Sequence, residues 1–354
     1  MKFIKLLHAT FYLCKMPVKN NISLKPYNTF GIDLNTKYFF EVKSVSDFKE
    51  AVAFSKTNHA PVQIIGSGSN VLFLNNFNGL IVKNGLLGKE IINETDSYLL
   101  LKVKSGEDWP LLVDYCVQQG WGGIENLSLI PGTAGAAPVQ NIGAYGAEVK
   151  DVIEEVEVYD LQSGSIVTFS NNNCAFSYRN SIFKTSAKKR YFVLSVTLRL
   201  IKNSSAKLNY APLQKYFAKR DQRSITVKEV SDAVKQIRRS KLPDPDELGN
   251  AGSFFKNPVV SEKKFKKLKN SNPDIPSYPI DNSQFKLAAG WLIEQCGWKG
   301  NRIGDAGVHA QQALVLVNYG NATGNDILNL AKQINKSVKD RFGLNLEFEV
   351  NVIE

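Results

Sequence analysis

The sequence predicts a protein that mixes α-helices and β-strands in two or three domains. Its 354 residues are enough for that number of hydrophobic cores. Its composition, 43% hydrophobic and 22% charged, is typical of a globular chain and excludes a disordered or fibrous one. From residue 39 to 123, short β-branched runs alternate with segments of helical periodicity, which indicates βαβ-like organisation.

The elements follow from the spacing of apolar residues. Period-two or continuous apolar runs predict strands, whereas apolar residues three or four positions apart predict helices. A break at 242–245 is a candidate linker before the C-terminal part. The predicted strands are 39–42, 62–65, 99–103, 152–159, 165–169, 191–201 and 346–352, and the predicted helices are 45–56, 109–119, 227–237 and 327–338, the last with Thr323 and Asp326 as a capping box.

The charge balance indicates anionic partners without identifying them. The net charge is +11, so nucleic acid, a membrane surface and phosphorylated small molecules all remain open. A lysine cluster at 263–269 is interpreted as a solvated helix face, since it lacks a nucleic-acid motif. No apolar run reaches the ~18 residues of a membrane span.

The cysteines and histidines favour no metal site. The four cysteines have no CxxC spacing, and the three histidines are far apart in sequence. We therefore expect reduced cysteines in a cytosolic protein.

The N-terminus weakly resembles a secretory signal, but Lys5, His8 and Lys15 interrupt its apolar run. The hypothesis is that residues 1–15 are a mis-assigned start or a disordered extension ahead of Met16.

Two glycine-rich segments are candidate ligand loops. Gly66-Ser67-Gly68-Ser69-Asn70 follows a predicted strand, and its backbone N–H groups could cradle a diphosphate, although a plain turn would look the same. The second segment runs from Gly132 to Gly146 and has little side-chain bulk. Two such loops in one α/β domain favour a dinucleotide.

Three further segments carry candidate chemical groups. Arg179 lies among apolar residues, where it is either a salt-bridge partner or a clamp for a carboxylate. Ser253 is either a turn residue or a hydroxyl held against a ligand, and it does not lie in a hydrolase motif. Glu347 and Glu349 share one face of the last predicted strand, and one of them becomes an acid or charge-stabilising group if that face lines a cleft.

In this order, these segments resemble the UDP-N-acetylenolpyruvoylglucosamine reductase (MurB) family. The resemblance runs from Ser23 to the final strand, and the segment ending at Tyr210 is similar to the substrate-covering loop of the family's first type. It implies an α+β fold: an FAD-binding fold of the vanillyl-alcohol oxidase (PCMH) type in two subdomains, with a C-terminal α/β substrate-binding domain. The implied boundaries are 1–20 for the extension, 21–203 for the FAD-binding domain (subdomains 21–85 and 86–203), 204–240 for the substrate loop and connection, 241–345 for the substrate domain, and 346–354 for a returning strand.

The resemblance also implies a reaction. FAD would be bound non-covalently and reduced by NADPH. UDP-N-acetylglucosamine enolpyruvyl ether would then receive hydride from flavin N5, giving UDP-N-acetylmuramate for peptidoglycan. Arg179 and Glu349 would stabilise the enol form of the substrate carboxylate, and Ser253 would donate the proton.

The resemblance assigns further residues to the two ligands. It also implies a monomeric, cytoplasmic enzyme with no nucleic-acid or membrane partner. FAD would contact Gly66, Ser67, Gly68, Ser69, Asn70, Gly132, Ala136, Ala137, Asn141, Ile142, Gly143, Gly146 and Val193, and the substrate would contact Tyr210, Lys241, Asn257, Lys299 and Gln312.

Three positions depart from the family pattern. Ser177 replaces a usual glycine, Asn180 a usual aspartate, and Phe348 stands where proline is common. None removes a catalytic side chain. The alternatives are an FAD-dependent oxidase of a small alcohol or sugar on the same fold, and a basic RNA-binding protein, which leaves both glycine loops unexplained.

Overall fold

A computed structural model describes residues 18–280 and 283–354. The hypothesis about residues 1–15 and Met16 lies outside the described residues. The first strand already begins at Lys19, inside the range assigned to an N-terminal extension.

The predicted helices are all present, and reciprocal capping boxes begin three of them. Ser44 and Asp47 cap α1, Thr226 and Glu229 cap α4, and Thr323 and Asp326 cap α7, the last as the sequence predicts. The lysine cluster lies on α5, whose polar face is exposed as expected. The helices are α1 (Val45–Thr57), α2 (Trp109–Gln118), α3 (Ala211–Tyr216), α4 (Val227–Arg239), α5 (Glu262–Ser271), α6 (Ala289–Gln295) and α7 (Gly324–Phe342).

The strands divide into those before and after the helix α4. The first group is β1 (Lys19–Ser23), β2 (Asn35–Val42), β3 (Val62–Ile65), β4 (Val71–Phe73), β5 (Phe77–Asn84), β6 (Lys89–Glu94), β7 (Tyr98–Lys104), β8 (Trp121–Gly122), β9 (Gly143–Ala144), β10 (Ala147–Glu148), β11 (Ile153–Asp160), β12 (Ile166–Ser170) and β13 (Tyr191–Lys202). The second group is β14 (Gly249–Ser253), β15 (Val259–Ser261), β16 (Ser277–Pro279), β17 (Gln284–Leu287), β18 (Arg302–Ile303), β19 (Ala306–Val308), β20 (Val315–Asn318) and β21 (Asn351–Ile353).

The predicted βαβ organisation is correct only for the first sheet. Its order is β1-β2-β5-β3, with β2 and β3 both parallel to β5 and α1 crossing between them. The strand predicted at 99–103 instead belongs to a second, antiparallel sheet of order β12-β11-β13-β7-β6. The periodicity that identifies a strand does not identify the strand with which it pairs.

The C-terminal part contains two small sheets: β14-β20-β19-β18 packs against α7, and β15-β17-β16 packs against α5. Its core is continuous with that of the first sheet. One buried cluster joins Phe39 and Leu72 near the N-terminus to Leu292 and Ile334 near the C-terminus. The boundaries assigned to the domains stay predictions.

The C-terminal strand is shorter than the predicted 346–352. Regular pairing is limited to β21, which runs parallel to β4. Before β21, a single antiparallel bridge joins Phe348 to Phe255. The alternation of apolar residues therefore identifies the buried side chains of this segment, but not a continuous run of strand pairing. The segment brings the chain back to the first glycine loop.

In the described residues, no helix is long and apolar enough to cross a membrane.

Candidate active site

The two glycine-rich loops lie against each other. The Ser69 hydroxyl donates to the Pro131 carbonyl at 3.0 Å, and the Asn70 side-chain amide donates to Gln140 Oε1. A Cβ atom on Gly66 would lie 2.7 Å from Thr133 Oγ1, so a larger residue at 66 would push the loops apart. Segments about 60 residues apart in sequence thus form one surface.

The first loop has the donors that a diphosphate needs. It follows the carboxyl end of β3, and Gly68 takes a φ of +74°. The main-chain N–H groups of Ser67, Gly68 and Ser69 donate to no acceptor in the described part of the chain. The nearby Thr29 hydroxyl is also buried with no hydrogen-bond partner among the described residues, while the Thr29 N–H donates to the Gly68 carbonyl. Such a concentration of unpaired donors fits the diphosphate of FAD.

The second loop carries an exposed and a buried side. Ala136 is exposed, whereas Ala137 and Ile142 are buried in the core of the second sheet. Gly132 and Gly146 have φ values of +146° and +83°, which disfavour side chains. The exposed side is therefore free of bulk, as close contact with a flavin requires.

Asn141 connects this loop to the segment that carries Arg179. The side-chain amide of Asn141 donates to the Ser177 carbonyl at 3.0 Å, and its side-chain oxygen, Oδ1, accepts from the Lys150 N–H. The predicted cofactor residue Asn141 is therefore fully engaged within the protein, and it orients the Arg179 segment.

Arg179 forms an ion pair with Glu349. It lies in a tight turn closed by mutual main-chain hydrogen bonds between Ser177 and Asn180, with a φ of +53°. The Arg179 Nε lies 3.0 Å from Glu349 Oε1, and a terminal guanidinium nitrogen donates to the Gly143 carbonyl. The two charged side chains are only 18% and 15% exposed. A positive φ on a non-glycine residue costs about 1–3 kcal/mol and is concentrated at functional sites.

The main chain of Glu349 is bonded to three separate segments. Its N–H donates to the Phe254 carbonyl at 2.8 Å, directly after Ser253. Its carbonyl accepts from the Asn70 side-chain amide and from Lys184 Nζ, each at 3.3 Å. Glu349 therefore connects the first glycine loop, the Arg179 segment and the Ser253 strand.

Burial raises the pKa of the Glu349 carboxyl, and the positive charges of Arg179, Lys184 and Lys256 oppose that rise.

Ser253 ends β14, opposite Val315 of β20. Its hydroxyl has no hydrogen-bond partner within residues 18–280 and 283–354, and the residue is half-buried. A hydroxyl with no protein partner is available to a ligand.

The predicted substrate residues fall into two groups, and three of them lie near the segments above. The Tyr210 ring packs edge-on against Tyr145 of the second loop, with centroids 5.4 Å apart. The Asn257 N–H donates to the Tyr178 hydroxyl at 3.4 Å, and Asn257 Oδ1 accepts from Ala289 at the start of α6. Gln312 Oε1 lies beside Gly290 of the same helix.

For the other predicted substrate residues, Lys241 and Lys299, the described part of the chain shows no contact with these segments of the site. Lys299 forms an ion pair with Glu294 at 3.0 Å, and Lys241 is exposed. Val193, assigned to FAD, is buried in the core of the second sheet.

Several charged groups near the site were not assigned from the sequence. Lys184 and Lys256 face Glu349, and Lys286 lies 4.5 Å from the centre of the Tyr178 ring. Arg238 faces Tyr145, and burial lowers its pKa. The sequence around most of these residues looks like that of an ordinary exposed surface. Only Lys184 follows apolar residues directly, Ile182 and Phe183, which is a sign that its side chain is partly buried.

Among residues 18–280 and 283–354, no group of three or more His, Cys, Asp and Glu side chains could hold a metal ion. Cys116 and Cys174 are buried free thiols whose pKa burial raises to about 12.

Comparison with known proteins identifies both parts of the chain. Residues 36–170 match an FAD-binding domain, and residues 244–353 match the C-terminal domain of UDP-N-acetylenolpyruvoylglucosamine reductase. The reductase of that name from Amoebophilus asiaticus is 46% identical over 96% of this chain and 100% of its own length. The corresponding Pseudomonas putida reductase is 44% identical over 94% of this chain and 98% of its own.

A solved structure shows the same fold. The reductase from Thermus caldophilus superposes with a TM-score of 0.64 at 24% identity, over 96% of this chain and 100% of that one. The predicted fold class, FAD cofactor and oxidoreductase activity are confirmed, and the comparisons give no support to the oxidase alternative.

With relatives of about 45% identity over nearly its whole length, the chain belongs to the UDP-N-acetylenolpyruvoylglucosamine reductase family, the FAD-dependent oxidoreductases of peptidoglycan precursor synthesis.

Proposed function

We propose that Arg179, Ser253 and Glu349 carry the reduction of UDP-N-acetylglucosamine enolpyruvyl ether in this protein. One observation carries the proposal. Glu349 bonds to Arg179 through its side chain and to the residue after Ser253 through its main chain. Three groups from distant parts of the sequence therefore occupy one place beside the glycine loops.

Each of the three groups has a distinct task. The Arg179 guanidinium pairs with the substrate carboxylate, and Glu349 holds the guanidinium in place and stabilises the enol form of that carboxylate. The Ser253 hydroxyl donates the proton to the carbon next to the carboxylate. FAD, when bound, supplies the hydride, and NADPH reduces it.

A serine hydroxyl is a weak acid at neutral pH, so Ser253 needs positive charge nearby as it loses its proton. Arg179, Lys184 and Lys286 outnumber the two carboxylates that face them, those of Glu349 and Glu148, whereas Lys256 is paired with Glu347 at 3.0 Å. The same excess attracts a substrate that carries a carboxylate and a diphosphate.

The cofactor lies on the two loops in this proposal. The free N–H groups of Ser67 to Ser69 hold the FAD diphosphate, and the exposed side of the second loop, with Gly132, Ala136, Gly143 and Gly146, faces the flavin. Ala137, Asn141, Ile142 and Val193 support these contacts from behind.

The substrate diphosphate is assigned to Tyr210 and Lys299, with Lys241, Asn257 and Gln312 nearby. Lys299 must leave its ion pair with Glu294 to take that role, which an exposed pair allows at little cost. We further propose that the protein is a monomer that acts in the cytoplasm without a nucleic-acid or membrane partner. Sedimentation of the purified protein tests whether it is a monomer.

Changing Ser253→Ala tests the assignment of the proton donor. We expect reduction of the enolpyruvyl nucleotide to fall by roughly 100- to 10,000-fold, the usual contribution of a general acid, while NADPH still reduces the flavin. Anaerobic stopped-flow absorption of the flavin measures the two half-reactions separately.

Ser337→Ala on the exposed face of α7 is the matched control and should keep both rates. An equal loss of both half-reactions in Ser253→Ala would show that Ser253 is not the proton donor. Rapid reoxidation of the reduced wild-type enzyme by oxygen alone would instead support an oxidase.

A further inference from the structure

Lys184 is a half-buried cation that the proposed reaction uses only as a source of positive charge. It ends a short 3₁₀ turn, Ile182–Lys184, five residues after Arg179. Its Nζ donates to the main-chain carbonyl of Glu349 at 3.3 Å. One segment therefore holds Glu349 at two points, through Arg179 at the carboxylate and through Lys184 at the carbonyl.

Glu349 needs this support because its own segment is irregular. Regular strand pairing begins only at Asn351. Between Leu346 and Val350 the main chain is fixed by single bonds to neighbouring segments, of which those to Phe254, Asn70 and Lys184 involve Glu349 itself. Without the bond from Lys184, the Asn70 amide alone would hold the carbonyl.

We propose that Lys184 is a positioning residue that fixes the main chain of Glu349, aims its carboxylate at Arg179, and adds positive charge to the site for the anionic substrate. This inference rests on the proposed roles of Arg179 and Glu349 and extends them to a residue that does not contact the reacting atoms.

The charge of Lys184 is sensitive to pH. Burial, together with the like charges of Lys256, Lys188 and Arg179, lowers its pKa to about 8, and the negative charge of Glu349 opposes that shift. Lys184 is therefore charged below pH 8 and neutral above it. As the pH rises through about 8, the ammonium loses its charge, its hydrogen bond weakens, and the site loses attraction for an anion.

Three variants separate this role from a structural one. At pH 7, Lys184→Met should lower kcat/KM for the enolpyruvyl nucleotide about tenfold, the usual size of a lost hydrogen bond to a charged group. Lys184→Arg should restore the rate at pH 7 and abolish the decline above pH 8, because guanidinium keeps its proton. The control Lys332→Met, at an exposed position of α7 that is not among the groups shifting the pKa of Lys184, should leave the rate at pH 7 and the decline above pH 8 unchanged.

The measurement is the rate of flavin reoxidation by the nucleotide in the prereduced enzyme from pH 6 to 10, with thermal unfolding of the apoprotein as a second readout. Loss of rate in Lys184→Met with an unchanged unfolding temperature and restoration by arginine supports the inference. A wild-type pH profile in Lys184→Met, or in Lys184→Arg if the methionine variant does not fold, overturns it.

A parallel fall of rate and unfolding temperature that arginine does not reverse also overturns the inference, since Lys184 would then be structural only. Failure of the wild-type enzyme to reduce the nucleotide at any pH would instead overturn the proposed function. The two failures are therefore distinguishable.

Discussion

Gly68 shows how a single residue constrains the cofactor loop. A Cβ atom at this position would lie 1.9 Å from the Tyr27 carbonyl oxygen, and the backbone has a positive φ. The residue behind the loop, rather than the ligand in front of it, therefore demands glycine here. The glycine-rich pattern predicts a ligand loop, but at Gly68 the requirement for glycine comes from packing against Tyr27.

Gly68→Ala is expected to displace the loop and release FAD. Gly31→Ala is the matched control, because Gly31 also has a positive φ of +65° but no atom of the residues that the structure describes lies within 4 Å of its Cβ position. Backbone strain alone costs about 1–2 kcal/mol in both variants. The flavin absorbance per mole of purified protein measures retention; equal retention in the two variants would contradict this account.

At the scale of the element, the C-terminal segment 344–353 connects the parts of the site. It leaves α7 at Gly343, bridges to Phe255 and ends as β21 beside β4. The departure from the family pattern at Phe348 is accommodated here. The Phe348 ring packs against Phe254 and Phe255, with centroids 5.2 and 5.6 Å apart.

Phe348→Pro should therefore fold and keep its activity. The bridge is made by the N–H groups of Lys256 and Glu349, so proline at 348 removes neither of them. Loss of the half-buried ring should lower the free energy of unfolding by about 1.5–3 kcal/mol, the usual contribution of burying such a side chain, and by a similar amount in Phe348→Ala. Denaturant unfolding compares the two; a much larger loss for proline would show that the main chain at 348 cannot accept it.

The other two departures, Ser177 and Asn180, close the turn that carries Arg179. Their main chains bond to each other, and neither bond depends on the side chain. The turn thus survives replacement of glycine and aspartate, and the Arg179 side chain keeps its position.

At the scale of the whole molecule, the described residues are organised around cores that cross the predicted boundaries. The cluster that contains Phe39 and Ile65 also contains Leu292, Ile334 and Val350. The second sheet has a core of its own around Leu101, Trp109 and Val196. The two glycine loops belong to different cores, so a cofactor that bonds to both joins them.

FAD should therefore stabilise the whole fold. A ligand that binds only the native state adds about 2.7 kcal/mol at a hundredfold excess over its Kd. We expect the unfolding midpoint of the apoprotein, followed by circular dichroism, to rise by several degrees when FAD is added. Gly68→Ala should show a smaller rise, and no rise in the wild type would contradict a cofactor site between the loops.

Part of the site could be predicted from the sequence because its signals are local. The strand before Gly66, the capping box at Thr323 and the buried alternation around Leu346 and Val350 each depend on neighbours within a few residues. The order of motifs along the chain was enough to indicate the family. The pairing of β7 and the length of the final strand were not predicted, because both depend on distant partners.

The sequence by itself determined the helices α1, α2, α4 and α7, a minority of the strands, among them β2, β11 and β13, the two glycine loops and the family to which the chain belongs. Periodicity, capping and motif order are properties of neighbouring residues. Only the tertiary structure decided that Arg179 pairs with Glu349, 170 residues away, and that Lys184 holds the same glutamate from behind. Such contacts depend on where the sheets place distant segments, and a pattern confined to one segment carries no information about that placement.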